Sequence, residues 1–184
     1  MKPVDRSSIL DYVTYEERRE QIRAQVLAIK TLRRVHVGGA LTFLFENPDT
    51  VRYQVQEMVR VERMVKEADI LHELATYNEL LGSEGDLGCT LLIEIDDPDE
   101  RALKLRAWME LPWHVYAKLE SGEKVYAKFD ERQIGEERLS SVQYLKLPVR
   151  GAVPTAVGCD LVGFTHETEL SAEQREALRQ DLTA

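Results

Sequence analysis

The spacing of apolar residues in the first part of the chain predicts a helix followed by a buried strand. Apolar residues recur at helical spacing between Thr14 and about Arg34, namely Ile22, Val26 and Ile29. Thr14 and Glu17 have the spacing of a capping box at the start of this helix. Basic residues within 30–36 suit the negative end of its dipole. The apolar run 40–45 then predicts a short strand.

A long stretch without glycine or proline follows this strand. Asn47 and Pro48 suit the cap and first position of a second helix, which would extend from Asp49 to about Leu81. An unbroken helix of that length would measure roughly 50 Å, whereas a globular chain of this size is about 40 Å across. The sequence therefore predicts either a break between Lys66 and Leu71 or a projecting rod that packs against a second copy.

After Gly88 the apolar period changes from helical spacing to two, which is typical of strands. The predicted elements, in chain order, are a strand at 89–95, a helix at 98–109, a hairpin formed by 113–119 and 124–129, strands at 142–149 and 160–169, and a closing helix at 171–182. Helices followed by a meander of strands indicate an α+β protein. We expect N-terminal helices packed on a mainly antiparallel C-terminal sheet, with a C-terminal helix.

Composition and charge narrow the class of protein. The chain has 184 residues, 43% of them hydrophobic, and a net charge of −9. This length and composition predict one folded domain, 1–184, with a mainly helical half at 1–85 and a mainly β half at 86–184. The negative charge argues against a nucleic-acid-binding protein, and no apolar run is long enough for a membrane span or a signal sequence. We therefore expect a cytoplasmic protein, with Cys89 and Cys159 as buried, reduced thiols.

Acidic residues and a histidine on the long helix form a candidate metal site. Glu62, Asp69 and Glu73 share one face of an ideal helix, and His72 follows Asp69 by three positions. Carboxylates and imidazole are ligands for iron and other divalent metals, but a di-iron centre takes its ligands from several helices. The alternative is that these charged residues lie on a solvated face or in local ion pairs, such as Glu62 with Lys66.

The first turns of the same helix hold a candidate ligand-binding group. Long hydrogen-bonding side chains are concentrated there, namely Arg52, Tyr53, Gln56, Glu57 and Arg60. Together they could hold a small anion or a carbonyl group in a cleft against the sheet. The alternative is a structural or interface role, in which these side chains pair with one another.

Several segments together resemble a known bacterial family. They are Leu44–Asn47, Thr50–Met58 with Arg60, Glu62 and Arg63, then Glu73, Tyr77–Asn78, Thr90–Glu94, Asp97–Arg101 and Val142–Lys146. They resemble the uncharacterised family known as the domain of unknown function number thirty-five-oh-one. Where that family is expected to have Asp-His-Pro after a late strand, this chain has Val162–Glu167. The resemblance implies an association with rubrerythrin-like and iron–sulfur proteins, and so a redox setting; it implies no catalytic residues.

The sequence leaves three functions open. The first is a non-catalytic accessory or interaction protein of a redox or iron-handling system, forming a homodimer through its long helix and binding a redox or iron–sulfur protein partner. The second is a metal-binding protein or enzyme with its site on that helix. The third is a sensor of a small anionic ligand, which would use the same residues without turnover.

Overall fold

The computed structural model describes residues 1–183, which form five α-helices and eight β-strands. The helices, numbered in chain order, are α1 Tyr12–Thr31, α2 Pro48–Val61, α3 Glu67–Asn78, α4 Pro98–Ala107 and α5 Ala172–Thr183. The strands are β1 Arg34–Val37, β2 Leu41–Glu46, β3 Leu87–Ile93, β4 Val115–Lys118, β5 Lys124–Tyr126, β6 Val142–Leu147, β7 Ala156–Leu161 and β8 Phe164–Glu169. The predicted α+β class is confirmed.

All strand pairs are antiparallel, and they form two sheets of four strands. The strand orders are β1-β2-β3-β6 in the first sheet and β5-β4-β7-β8 in the second. The sheets approach each other at both sides. Lys128, just after β5, pairs with Lys146 of β6, and the Thr168 hydroxyl of β8 donates to the His36 carbonyl of β1 at 2.8 Å. The two sheets therefore enclose a single space, much as a flattened barrel does.

The main hydrophobic core fills this space between the sheets. Phe43 and Phe45 of β2 meet Leu91 of β3, Leu145 of β6 and Val157 of β7, and all five are almost completely buried. Burial of such apolar area is the dominant stabilising contribution to a fold. Because β1 and β2 lie before residue 85 and the other six strands lie after it, both halves of the chain contribute to this core.

A second apolar cluster packs the N-terminal segment and the helices together. Val51, Val55 and Val59 form one face of α2 and meet Ile70 and Leu74 of α3. The start of α2 is as predicted: Asn47 caps the helix in a capping box with Thr50, and Pro48 occupies its first position.

The long helix between Asn47 and Gly82 is broken, but earlier than predicted. Helix α2 ends at Val61 and α3 begins at Glu67, whereas the sequence predicts the break between Lys66 and Leu71. Arg63 lies in the left-handed region with φ of 48°, a conformation that does not continue an α-helix. The projecting rod that suggested a homodimer is therefore not formed.

The first helix and the strand after it also differ from prediction. Asp11, not Thr14, caps α1, and it accepts from the backbone amides of Val13 and Thr14. The helix ends at Thr31, so Arg34 lies in β1, a strand that the sequence prediction missed. The basic residues of this region are typical of a helix end, so the sequence was interpreted as helix. The alternation of exposed and buried residues in β1 extends over only four positions and was missed for that reason.

The single strand predicted at 160–169 is a hairpin. Strand β7 ends at Leu161 and β8 begins at Phe164. Gly163 adopts φ of 85° at the turn, a conformation that glycine reaches without a steric penalty. The β4–β5 hairpin forms where the alternating pattern predicted it.

A buried ion pair fastens the last helix to the rest of the protein. The guanidinium of Arg33 donates two hydrogen bonds of 2.8 Å to the carboxylate of Asp181 on α5. The two side chains are only 8% and 7% exposed. This bidentate geometry is the strongest that the two groups can adopt.

Candidate functional site

Most of the ligand-binding residues predicted on α2 are occupied in holding the fold together. Arg52 donates to Asp49 at 2.7 Å. The side-chain amide of Gln56 binds the backbone of Leu10 twice: it accepts from the amide at 2.9 Å and donates to the carbonyl at 2.8 Å. The Gln56 contacts anchor the N-terminal segment on α2, whereas Arg52 and Asp49 form a partly exposed pair within the helix itself.

Glu57 and Arg60 belong to a network that joins α1 to α2. The carboxylate of Glu57 accepts from the Tyr15 hydroxyl at 2.6 Å, from Arg19 at 2.8 and 3.1 Å, and from Arg60 at 3.2 Å. Burial raises the pKa of Glu57, but the hydrogen bonds from Arg19 and Tyr15 outweigh burial and lower it. Burial and the bond to Glu57 both raise the pKa of Tyr15. Glu57 is therefore a charged crosslink between two helices.

A cleft of about 440 Å³ lies between α1 and α2, and three of the predicted residues line it: Arg52, Tyr53 and Gln56. The α1 wall is largely apolar, with Ile22 and Val26. The Lys30 ammonium lies 5.2 Å from the centre of the Tyr53 ring, a cation–π contact. Since Arg52 and Gln56 are already paired, the cleft offers a ligand mainly apolar contact and the Tyr53 hydroxyl.

The four predicted metal ligands do not come together. Glu62 caps the end of α2, while Asp69, His72 and Glu73 lie on α3, beyond the break. Glu62, Asp69 and His72 are exposed. Within residues 1–183, no group of three or more histidine, cysteine, aspartate or glutamate side chains is placed to hold a metal ion. The helix break separates Glu62 from the other three residues, because the face that all of them would share requires a continuous helix.

A cavity of about 630 Å³ with many polar side chains in its wall lies between α3 and β6. We call it the α3–β6 cavity. Its polar wall residues are Glu73, Thr76, Tyr77, Glu79, Lys128, Asp130, Gln133, Tyr144 and Lys146, and its apolar ones are Met58, Leu80, Cys89, Phe129 and Leu145. A volume of this size and a mixed wall are typical of sites for small organic molecules.

Close packing of α3 against the first sheet sets one end of this cavity. A Cβ atom at Gly88 of β3 would lie 1.8 Å from the Leu80 carbonyl oxygen, just beyond α3. Only glycine at this position lets the chain after α3 come so near to the strand. The Lys146 ammonium donates to the carbonyls of Glu79 and Leu81 at the same place, where a cation also complements the helix dipole.

Lys128 and Lys146 face each other across the β-bridge beside the cavity. Their backbones exchange two hydrogen bonds of 2.7 Å, and both side chains line the cavity. We call these two residues the lysine pair. Partial burial lowers the pKa of Lys146, but its bonds to two carbonyl oxygens favour the ammonium form. The site thus includes two lysine side chains that start from directly opposed positions of a backbone bridge.

The remaining polar groups of the wall are hydrogen-bonding rather than nucleophilic. Burial raises the pKa of Cys89, the thiol of this wall, far above neutrality, so it is not a thiolate. Burial, and the nearby Tyr77 and Glu46, raise the pKa of Tyr144. Gln133 binds the backbone of Tyr144 through both ends of its amide, at 2.8 and 3.1 Å. The wall is suited to holding a molecule rather than attacking it.

Sequence reasoning missed the cavity, although it singled out Glu73 from its wall. Tyr144 and Lys146 alternate along β6, so a shared face could have been inferred from the period of two. The bridge that adds Lys128 joins segments 18 residues apart along the chain, and no local pattern specifies it.

Comparison with known proteins places this fold in a family. The profile of the family described as "Protein of unknown function (DUF3501)" matches residues 3–182. The chain belongs to the DUF3501 family. None of the curated proteins compared with this DUF3501 protein matches it significantly.

A solved structure shares the DUF3501 fold seen here. It is the crystal structure of a novel protein of unknown function from Burkholderia pseudomallei K96243, determined at 1.90 Å. The two chains are 28% identical, with a TM-score of 0.89, over 98% of this chain and 100% of the other. In residues 1–183 of the DUF3501 protein, no helix has both the length and the apolar character to cross a bilayer.

Proposed function

We propose that this protein binds a small organic molecule in the α3–β6 cavity and does not transform it. The observation that carries the proposal is the cavity itself, whose 630 Å³ would accommodate a molecule of cofactor or metabolite size. Its apolar residues would cover the body of the ligand, and its tyrosine, glutamine and lysine side chains would fix the orientation.

The chemistry of the wall supports binding without turnover. The Cys89 thiol is buried, with a raised pKa, and the Lys146 amine is held as an ammonium by two carbonyls. Neither group is a free nucleophile, and activation of a nucleophile requires a lowered pKa or an adjacent base. A protein of this kind acts through the presence or absence of its ligand, as a sensor or an accessory protein does.

A neutral fluorescent probe tests the proposal. N-phenyl-1-naphthylamine, an uncharged aromatic amine that fluoresces in apolar surroundings, is expected to bind this protein. Thr76→Trp would fill the cavity from the α3 wall and should weaken binding at least tenfold. Ala75→Trp is the matched control, because Ala75 is exposed on the same helix and is not in the wall.

Two results would contradict cavity binding. One is a probe that does not bind the wild-type protein at all. The other is a probe whose affinity is the same in the Thr76→Trp and Ala75→Trp variants, since that probe would be attached elsewhere on the surface.

We further propose that the ligand-binding protein is a cytoplasmic accessory of a redox or iron-handling system and that it is a homodimer. The support for the redox link is the association with rubrerythrin-like proteins that the family resemblance implies. Sedimentation of the purified protein at twice the chain mass, and a complex with a purified rubrerythrin-like or iron–sulfur protein, are the expected results. A monomer that forms no such complex would refute this part and leave the cavity proposal intact.

A further inference from the structure

We infer that the ligand of the α3–β6 cavity is an organic oxyanion whose acid group lies between Lys128 and Lys146. The inference rests on the proposed function, because it names the class of molecule that the same cavity would take. A carboxylate, sulfonate or phosphate on an aromatic or aliphatic body has the required chemistry.

The backbone places the two ammonium groups on one side of the same bridge. Lys128 and Lys146 form a hydrogen-bonded antiparallel pair, with each amide donating to the other carbonyl at 2.7 Å. The Cα atoms of such a pair are about 5.5 Å apart, and the side chains project from the same face. Two lysine side chains from this spacing can converge on the oxygens of one acid group.

This arrangement is unfavourable unless an anion is present. Like charges directly opposite each other on neighbouring strands repel and destabilise the pair. Among residues 1–183, neither Lys128 nor Lys146 forms an ion pair with a carboxylate. Other lysines in sheet positions are neutralised, as Lys118 is by Glu167 and Lys124 by Asp160, each at 2.8 Å. The lysine pair therefore lacks the direct carboxylate partner that Lys118 and Lys124 each have.

Within residues 1–183, no carboxylate of the cavity wall forms an ion pair with either lysine, although the charges of Glu79 and of two carboxylates outside the wall partly offset the effect of burial on the pKa of Lys146. Asp130 is paired with Arg132. Glu79 contributes its backbone carbonyl to Lys146, while Glu73 lies on the α3 wall. Since Lys146 uses two of its three N–H groups on carbonyls, one remains for a ligand.

The apolar part of the wall accounts for the rest of the ligand. Met58, Leu80 and Phe129 line the same space as the lysine pair. An inorganic ion would fill little of a cavity this large and would leave these side chains without contact. An organic body beside the acid group buries them, which contributes about 25 cal/mol per Å² of apolar surface.

A pair of related probes separates this inference from the proposed function. The first is the neutral N-phenyl-1-naphthylamine, and the second is 1-anilinonaphthalene-8-sulfonate, which carries a sulfonate on the same ring system. We expect the wild-type protein to bind the sulfonate more tightly than the neutral probe. Lys128→Gln should weaken sulfonate binding at least tenfold and change neutral-probe binding less than twofold, and Lys146→Gln should act in the same direction.

Three variants separate a loss of the lysine pair from a loss of fold or of overall positive charge. Lys128 is exposed, so Lys128→Gln leaves the core and the bonds of Lys146 intact even if Lys146→Gln proves unstable. Lys66→Gln makes the same charge change at an exposed lysine outside the cavity and should leave both affinities unchanged. Glu73→Gln removes a negative charge from the wall and should keep or tighten sulfonate binding.

The outcomes are distinct. The oxyanion inference is overturned if sulfonate binding falls equally in the Lys66→Gln and Lys128→Gln variants, or if it falls in neither. In that case, binding of the neutral probe would still support the cavity as a binding site. Failure of both probes to bind the wild-type protein overturns the proposed function and the inference with it.

Discussion

Removing one partner of the buried Arg33–Asp181 pair should destabilise the protein severely. In Asp181→Leu the Arg33 guanidinium, only 8% exposed in the wild-type protein, would keep its charge and lose both of its 2.8 Å hydrogen bonds to the carboxylate. An uncompensated buried charge costs about 3–5 kcal/mol. For a chain of this length, that loss lowers the melting temperature by about 6–20 °C.

Replacing both partners should be far less harmful. In Arg33→Met combined with Asp181→Leu, no charge is left buried, and apolar side chains of similar size fill the space. Such replacements of buried ion pairs are often neutral or stabilising. We therefore expect the double variant to lie within about 1 kcal/mol of the wild-type protein.

Urea unfolding followed by circular dichroism at neutral pH measures these free energies of unfolding. Glu176→Leu is the matched control, because Glu176 pairs with Arg179 on the same helix but both side chains are about half exposed. An exposed pair contributes about 1 kcal/mol or less. The reasoning is refuted if Asp181→Leu costs no more than Glu176→Leu, or if the double variant is as unstable as the single one.

Three other predictions concern packing, pH and metal. Gly88→Ala should lower the free energy of unfolding by several kcal/mol or prevent folding, because the new Cβ would lie 1.8 Å from the Leu80 carbonyl oxygen. The control Gly122→Ala, with open space around it, should lower it by only about 1 kcal/mol. Equal losses of stability in thermal melts of the two variants would contradict this prediction. Burial raises the pKa of Asp160, but hydrogen bonds from Lys124 and other groups outweigh it and lower the pKa from 3.8 to about 2. Asp160 therefore stabilises the fold above the unfolded pKa, and this contribution disappears as the pH falls through the folded one. At neutral pH the free energy of unfolding of Asp160→Asn should be about 1–2 kcal/mol lower than that of the wild-type protein. This difference should disappear as the pH falls from 3.8 to about 2, and a difference that stays constant would refute the assignment. Protein purified without a histidine tag should hold far less than one equivalent of iron, zinc or manganese by elemental analysis; a full equivalent would show a ligand set that the fold does not predict.

Local sequence signals predicted where individual helices and strands form. They did not predict features that depend on residues distant in the sequence or on an unusual backbone conformation. The Asn47–Pro48 start of α2 and the β4–β5 hairpin depend on neighbouring residues, and both form as predicted. The end of α2 at Val61 depends on the left-handed Arg63, and arginine gives no sequence warning of that conformation. Helical periodicity alone therefore could not locate the break.

The candidate site shows the same division between local and long-range information. Polar residues on α2 were conspicuous in the sequence, yet Gln56 and Glu57 are used to attach the N-terminal segment and α1. The lysine pair was inconspicuous because its members come from different segments and meet only through a single bridge. A side chain's chemistry can be read from the sequence, but whether it is already paired in the fold cannot.

The way in which the two sheets meet has a consequence for how this protein behaves at high concentration. An open sheet edge presents unpaired amides and carbonyls on which a strand of another molecule can grow. Here the β6 side is engaged by Lys128 and the β1 side lies against β8, so both outer strands of the first sheet are partly shielded from such growth. Mutations that loosen either contact are therefore expected to promote intermolecular strand pairing and fibre formation before they unfold the protein.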